Sequence, residues 1–203
     1  MPATPRIYSS AQIQRGMADA WWDVAKPASG THVIPLFTDG SPDAMANPNA
    51  KHLGLMDSAT MVDYTPKYDE EKADQDTGTV ARFLTEEDAV LEVTCKQISF
   101  QNVMQYCLPP GFFSQSGPPA LEGVTLGQGG NILVTPAPLA IVAPPADPAY
   151  KWVVALLYAA SPISAVKLPM EKGKTAVYQV QFKGISDLTR PAGDRLGAIY
   201  RTN

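Results

Sequence analysis

Ala89 to Leu108, AVLEVTCKQISFQNVMQYCL, changes its hydrophobic period halfway along. Leu91, Val93 and Cys95 alternate with Glu92, Thr94 and Lys96, so one face is apolar and the other polar, as a half-buried strand requires. Beyond Gln97, the residues Phe100, Val103, Met104 and Cys107 fall at i, i+3, i+4 and i+7. That is one face of a helix, which Ser99 can cap and Pro109-Pro110-Gly111 must end. A strand feeding a helix that packs on the same sheet predicts a sheet-plus-helix domain, and most other apolar stretches read as further strands for it.

Toward the C-terminus, Trp152 to Ala160 is apolar on both faces and reads as a central strand, and Ser164 to Leu168 as a shorter one. Ala176, Tyr178, Val180 and Phe182 then alternate with Thr175, Val177, Gln179, Gln181 and Lys183, the cleanest period-2 signal in the chain. A turn-rich loop, Ser186 to Asp194, leads to a last strand at Leu196 to Arg201. Toward the N-terminus, Ser10 to Lys26 reads as a helix carrying Ile13, Met17, Ala20, Trp21 and Val24 on one stripe, ended by Pro27 and Gly30. Trp22 falls off that stripe, as an anchor for a neighbouring subunit or a partly buried edge residue would. Thr31 to Phe37 reads as a strand, TDGSPDAMANPNAKH as a loop, and Ala59 to Pro66 as a second strand. Lys67 to Thr79, with its run DEEKADQD, reads as a solvated loop before a strand or edge segment at Thr79 to Leu84, and Thr85 to Asp88 as a turn.

Nine of the 19 prolines lie between Pro109 and Pro148. They mark an insertion over residues 109–150, with short strands at Val124 to Leu126 and Asn131 to Thr135 around Gly127 to Gly130, and another at Leu139 to Ala143. At 203 residues, one large domain is expected, with residues 1–50 as an N-terminal arm. A chain of that size buries about 70% of its unfolded surface, so no staple is needed. Cys95 and Cys107, both on apolar faces, read as buried free thiols in a reducing compartment. The N-terminus has no apolar h-region, and Trp152 to Ala160 is too short to cross a bilayer as a helix, so a soluble, non-exported protein is expected. A net charge of -4 offers no basic field to hold nucleic acid.

No constellation for catalysis emerges. His32 and His52 sit in turn-rich, polar surroundings and read as structural, and no G-x-S-x-G elbow occurs. Gly127, Gly129 and Gly130 do not complete G-x-G-x-x-G, because Ile132 takes the last position and a strand follows. Asp74-x-Asp76-x-Gly78 could share a calcium ion between two carboxylates, but Thr79 and Thr85 stand where an EF-hand needs glycine and glutamate. Glu86-Glu87 and Glu70-Glu71 are adjacent carboxylates with no sign of a pocket to tune one against the other. No cofactor and no metal are expected. A chain spent on strands, long loops and an N-terminal arm more often builds an assembly than catalyses a reaction.

Residues 51–107, from KHLGLMDSATMVDYTPKYDEEKADQDTGTVARFL to the Cys107 helix, resemble the middle of a tail tube protein (major tail protein) of long-tailed bacteriophages. In that family a Leu-Gly segment precedes a strand, a long loop ends near an Asp-Gln pair, here Asp74-Gln75, and a strand runs into a helix, here around Gln101-Asn102-Val103. VYQVQFKGISDLTRPAGDRLGAIYR is similar to the family's closing strand, loop and last strand, with Gly193 or Gly197 in the place of its frequent glycine. The Ser10 to Lys26 helix and the proline-rich insertion do not belong to the common pattern.

The resemblance implies a mainly β subunit, sandwich- or barrel-like, with a flanking helix. It would assemble as hexameric rings stacked into a hollow tube, in the virion after assembly in the host cytoplasm. Its partners would be its own copies, a tape-measure protein, and tail terminator and baseplate proteins, with DNA passing unbound along the lumen during genome ejection. On that reading Glu92, Thr94, Thr175, Gln179 and Gln181 are the candidate lumen-facing residues, beside Lys96 and Lys183 on the same faces. Asp69, Glu70, Glu71, Asp74, Asp76 and Trp22 are the candidate contacts between stacked rings. Another phage structural β-protein, such as a terminator, baseplate or head-decoration subunit, shares the same economy. A carbohydrate-binding β-sandwich would instead need aromatics such as Phe112, Phe113, Tyr64, Tyr68 and Trp22 gathered on an exposed surface.

Overall fold

The computed structural model describes residues 18–54, 56, 61–72, 79–96, 112–124, 135–145, 149–163 and 177–202. Among them the chain is mainly antiparallel β, with ten strands and no helix. These are β1 (Asp19–Trp22), β2 (Lys51–His52), β3 (Met61–Lys72), β4 (Thr79–Cys95), β5 (Phe112–Gln115), β6 (Leu121–Val124), β7 (Ala137–Ala143), β8 (Trp152–Pro162), β9 (Tyr178–Gly184) and β10 (Gly197–Thr202). Eight form one sheet in the order β2-β1-β7-β8-β9-β4-β3, with β10 also on β8, and β5 pairs with β6 in a separate hairpin.

β8 is the axis of this sheet. β7 runs along one edge, while the other is shared: β10 takes residues 152–157 and β9 takes residues 160–162. Both faces of β7 and β8 are buried, as their unbroken apolar runs require. One core lies on the face of Leu139, Ile141, Ala155 and Leu157, closed by Leu91 and Val93 of β4 and Val180 and Phe182 of β9. The other lies on the face of Ala140, Val154, Leu156 and Tyr158 and is covered by Val24, Ile34 and Leu36 from the coil after β1. The organising strand behaves as its alternation demands. Ala89, Leu91, Val93 and Cys95 are buried while Val90, Glu92 and Thr94 are half-buried on the opposite face. Leu91 pairs with Phe182 and Val93 with Val180 in the β4–β9 register.

The strands expected at Trp152 to Ala160, Leu139 to Ala143 and Leu196 to Arg201 are present, and the strongly alternating stretch near Phe182 forms β9. Other expectations are corrected. Residues 19–22, placed in a helix from Ser10 to Lys26, form β1, where Ala20 pairs with Ile141 and Trp22 with Leu139. Ala20, Trp22 and Val24 also alternate, and two adjacent tryptophans suit a pleated surface better than a helix. Residues 10–17 of that stretch, and the helix expected from Ser99, lie outside the described residues. Thr31 to Phe37 is coil with a single bridge, Leu36 to Pro42. Pro35 has no N–H for a ladder, and the Ile34 amide donates instead to the Tyr200 hydroxyl at 2.9 Å.

The largest correction concerns Lys67 to Asp88. The expected loop is strand as far as Lys72, and the expected turn at Thr85 to Asp88 is the middle of the seventeen-residue β4. Lys67 pairs with Glu86 and Tyr68 with Leu84, so Thr85 is the extra residue of a β-bulge. Val124 pairs with Phe112 at the end of β6. The stretches expected at residues 125–134 and 164–168 lie outside the described residues.

Candidate functional site

Beyond Pro66, β3 and β4 leave the core as a two-stranded ribbon whose described side chains, half-buried Ala81 apart, are exposed on both faces. No buried period holds it, so cross-strand pairs and the backbone ladder must. Lys67 Nζ lies 2.6 Å from Glu86 Oε2, and Arg82 Nη2 2.6 Å from Glu70 Oε1. The Glu86 carboxylate raises the Lys67 pKa by hydrogen bonding. The Tyr64 hydroxyl donates to Glu87, and that bond raises the phenol's pKa. Strand alternation puts Val62, Tyr64 and Tyr68 on one side, with Leu84 opposite Tyr68. All four are exposed, Tyr64 to 52%. Asp69, Glu70 and Glu71 are exposed on this ribbon. Asp74 and Asp76 lie outside the described residues.

The polar face of β4 and β9 gathers four of the five candidate lumen residues. Glu92 is opposite Gln181 and Thr94 opposite Gln179. Gln179 Nε2 donates to one Glu92 oxygen and Gln181 Nε2 to the other, the latter at 2.7 Å. Lys183 completes the row with an ion pair to Asp88 at 2.6 Å, which holds the Asp88 carboxyl below its ordinary range. Thr175 lies outside the described residues. Trp22 is only 5% exposed and spends its ring on Phe182, 5.3 Å between centroids. It is therefore an interior residue of its own chain.

Sequence reasoning missed a polar cluster that joins the coil after β1 to the loop after β9. Arg190, 3% exposed, donates through Nη1 to Asp194 Oδ2 at 2.6 Å and through Nη2 to the carbonyls of Pro27, Ala28 and Thr31 at 2.7, 3.1 and 3.0 Å. Its guanidinium lies 3.6 Å from the Tyr158 ring centroid. The Tyr158 hydroxyl donates to Asp194 Oδ1 at 2.9 Å, so the 2.8 Å contact from His32 Nδ1 must carry the imidazole's proton toward the phenol oxygen. Burial first, and the Asp194 bond second, push the Tyr158 pKa up to about 12. Nearby, Lys26 and then Thr189 hydrogen-bond Asp187 and hold its carboxyl down at about 2. The one signal in the sequence was the turn-rich run SDLTRPAGDR, where Asp187 and Asp194 bracket an arginine.

His52 lies 3.2 Å from Asp19 Oδ1, with its ring on Trp21. The Cys95 thiol is buried and donates to the Met56 sulfur at 3.6 Å; Cys107 lies outside the described residues. Among the described residues no three metal-ligating side chains come together, and no helix is long and apolar enough to cross a membrane. Asp23, Lys26, Asn47, Ile185 and Asp187 line a cleft of about 580 Å³. A second, of about 170 Å³, opens between the β3 and β10 edges. No family profile matches the chain, and no characterised protein matches it.

Proposed function

We propose that the chain is the tail tube subunit of a long-tailed bacteriophage. It is a structural virion protein whose hexameric rings stack into the conduit for DNA delivery, around a tape-measure protein and between terminator and baseplate proteins. The observation that carries this reading is the β3–β4 ribbon, a projection of one continuous pair of strands with an apolar stripe that the chain itself leaves open. An exposed two-stranded edge is a hazard in a monomer, and pairing it between copies removes the hazard. The uncharged and acidic groups of Glu92, Thr94, Gln179 and Gln181 form a hydrogen-bonded wall suited to DNA that must slide without being gripped. The reading assigns the chain no catalytic chemistry.

Negative-stain microscopy of concentrated purified protein tests it. Rings or open-ended tubes of uniform diameter are expected. A protein that stays a lone particle across salt and concentration, or polymerises without an axis, refutes it.

A carbohydrate-binding module is the second reading, favoured by one observation: Tyr64 and Tyr68 are both exposed on the same side of the ribbon. Binding of the monomer on a glycan array, without self-association, would select it.

A further inference from the structure

The core between β4 and β8 is open at one side. Val62 and Tyr64 of β3, Leu91 of β4, Leu157 of β8, and Leu196 and Ile199 around the start of β10 line the cleft there. Ile199 is 66% exposed. At about 170 Å³ the cleft falls short of the roughly 300–1,000 Å³ of small-molecule pockets, so it is sized for one or two side chains. On the one side, β10 hydrogen-bonds to β8, and on the other β3 hydrogen-bonds to β4; their remaining edges pair with no strand among the described residues.

Charge identifies the occupant. In the sequence, residues 63–88 hold nine of the twenty acidic side chains and three of the sixteen basic ones, a formal charge of -6 against +2 for the rest of the chain. Neither Arg195 nor Arg201 lines the cleft, but both flank it: Arg195 precedes the lining residue Leu196, with its Nε donating to the Arg190 carbonyl, and Arg201, two residues beyond Ile199 on the same face of β10, lies 5.2 Å from the Tyr150 ring centroid. The ribbon also carries the exposed pair Tyr68 and Leu84. That pair cannot reach its own chain's cleft. Tyr64 already stands at the rim, and four further residues of extended strand carry Tyr68 roughly 13 Å outward.

We propose that the Tyr68–Leu84 portion of the ribbon of one copy seats in the cleft beside Ile199 of a second copy, guided by ribbon carboxylates toward Arg195 and Arg201. Donor and acceptor surfaces differ, so the contact is heterologous. It propagates head to tail, into a ring where the rotation closes and a filament where it does not, and cannot close a two-fold dimer. The contact needs no tube: it goes beyond the proposed function and fails or stands by a different measurement.

That measurement is disulfide trapping between two preparations, Leu84→Cys and Ile199→Cys, one bearing an affinity tag, with unsubstituted protein as control for Cys95 and Cys107. A disulfide forms only where the two Cα atoms approach within about 7 Å. The expected result is a covalent species in the mixture that neither preparation gives alone. Absence of the mixed species at concentrations where the protein associates overturns the proposal, as does equal trapping by Leu84→Cys alone, which would mean ribbon against ribbon. Ile199→Asp, at an exposed position, should keep the fold and thermal midpoint while lowering the association constant about tenfold or more; undiminished association also overturns it. Mixed disulfides without tubes keep this contact and reject the tube, and uniform tubes without mixed disulfides do the reverse.

Discussion

Arg190→Met is expected to loosen the whole coil over residues 23–50 from the sheet. The substitution keeps much of the side chain's length and apolar stem but removes the charge. It leaves the carbonyls of Pro27, Ala28 and Thr31 without their shared donor and strips Asp194, whose side chain is 18% exposed, of its cation. Removing one partner from a buried ion pair costs about 3–5 kcal/mol. Asp194 keeps the Tyr158 hydroxyl, which places the loss at the lower end, about 3 kcal/mol. For a domain of this size each kcal/mol lowers the thermal midpoint by about 2–4 °C, so a fall of about 6–12 °C is expected. The assay is urea unfolding at concentrations where sedimentation gives a single monomeric species, paired with hydrogen exchange at the Ile34 amide, which Tyr200 protects. Exchange there should accelerate more than exchange in β8. Arg190→Met combined with Asp194→Asn should recover part of the loss, because the uncompensated carboxylate is gone. A loss below about 1 kcal/mol, or a double variant no better than the single one, would refute the clamp.

Replacing residues 69–83 by Asn-Gly joins Tyr68 to Leu84, which already face each other, through a two-residue hairpin turn. The protein should stay folded, with its thermal midpoint within about 2 °C, yet form no long tubes in the microscope; normal tubes would remove the ribbon from assembly. Asp187 titrates at about 2 rather than 3.8, a folded-state pKa below the unfolded one. Its contribution, about 1–2 kcal/mol after allowing for solvent at its rim, is present above pH 4 and lost as the pH falls from 4 toward 2. Asp187→Asn should flatten that part of a stability–pH curve. Tyr158 is shifted in the opposite sense, from 10 to about 12. Its contribution is complete below pH 10 and disappears as the pH rises to 12, an alkaline loss that Tyr158→Phe should abolish. A Cβ on Gly197 would stand 2.2 Å from the Leu156 carbonyl oxygen. Since that neighbour is backbone, Gly197→Ala should cost about 1–3 kcal/mol in urea unfolding.

Where a strand packs one face on the core, its alternation was readable, as at Leu91, Val93, Val180 and Phe182. Where both faces are buried, length and apolarity sufficed for Trp152 to Ala160. The ribbon was unreadable for the converse reason. A strand wet on both sides has no hydrophobic period, and its pairing is written in cross-strand partners such as Lys67 with Glu86, which a single pass along the chain does not align. β1 was misread because Ala20 and Val24 satisfy a spacing of four, which a helix and an alternating strand share. The clamp was hidden in a different way. Arg190 and Tyr158 are 32 residues apart and meet through tertiary packing, and neither has a local pattern that marks burial of a charge.

β4 passes through both regimes without a break. Residues 89–95 alternate between core and polar face, and residues 81–87 are exposed or half-buried on both sides. The Thr85 bulge stands just before the transition, and Glu87 with Tyr64 and Asp88 with Lys183 tie the ribbon's root to the sheet. An edge carried on such a strand cannot swing as an independent loop would: its backbone hydrogen bonds continue into those that hold Leu91 beside Phe182. Force applied to the ribbon is therefore borne by the β4–β9 ladder, whose core face is buried and apolar, rather than by a hinge. A flexible loop would lose its conformational freedom at every contact between copies, whereas a ribbon already fixed by its ladder loses little. Preorganisation of that kind favours a repeated, geometrically uniform contact, and a uniform contact is what a stacked assembly requires of each of its subunits.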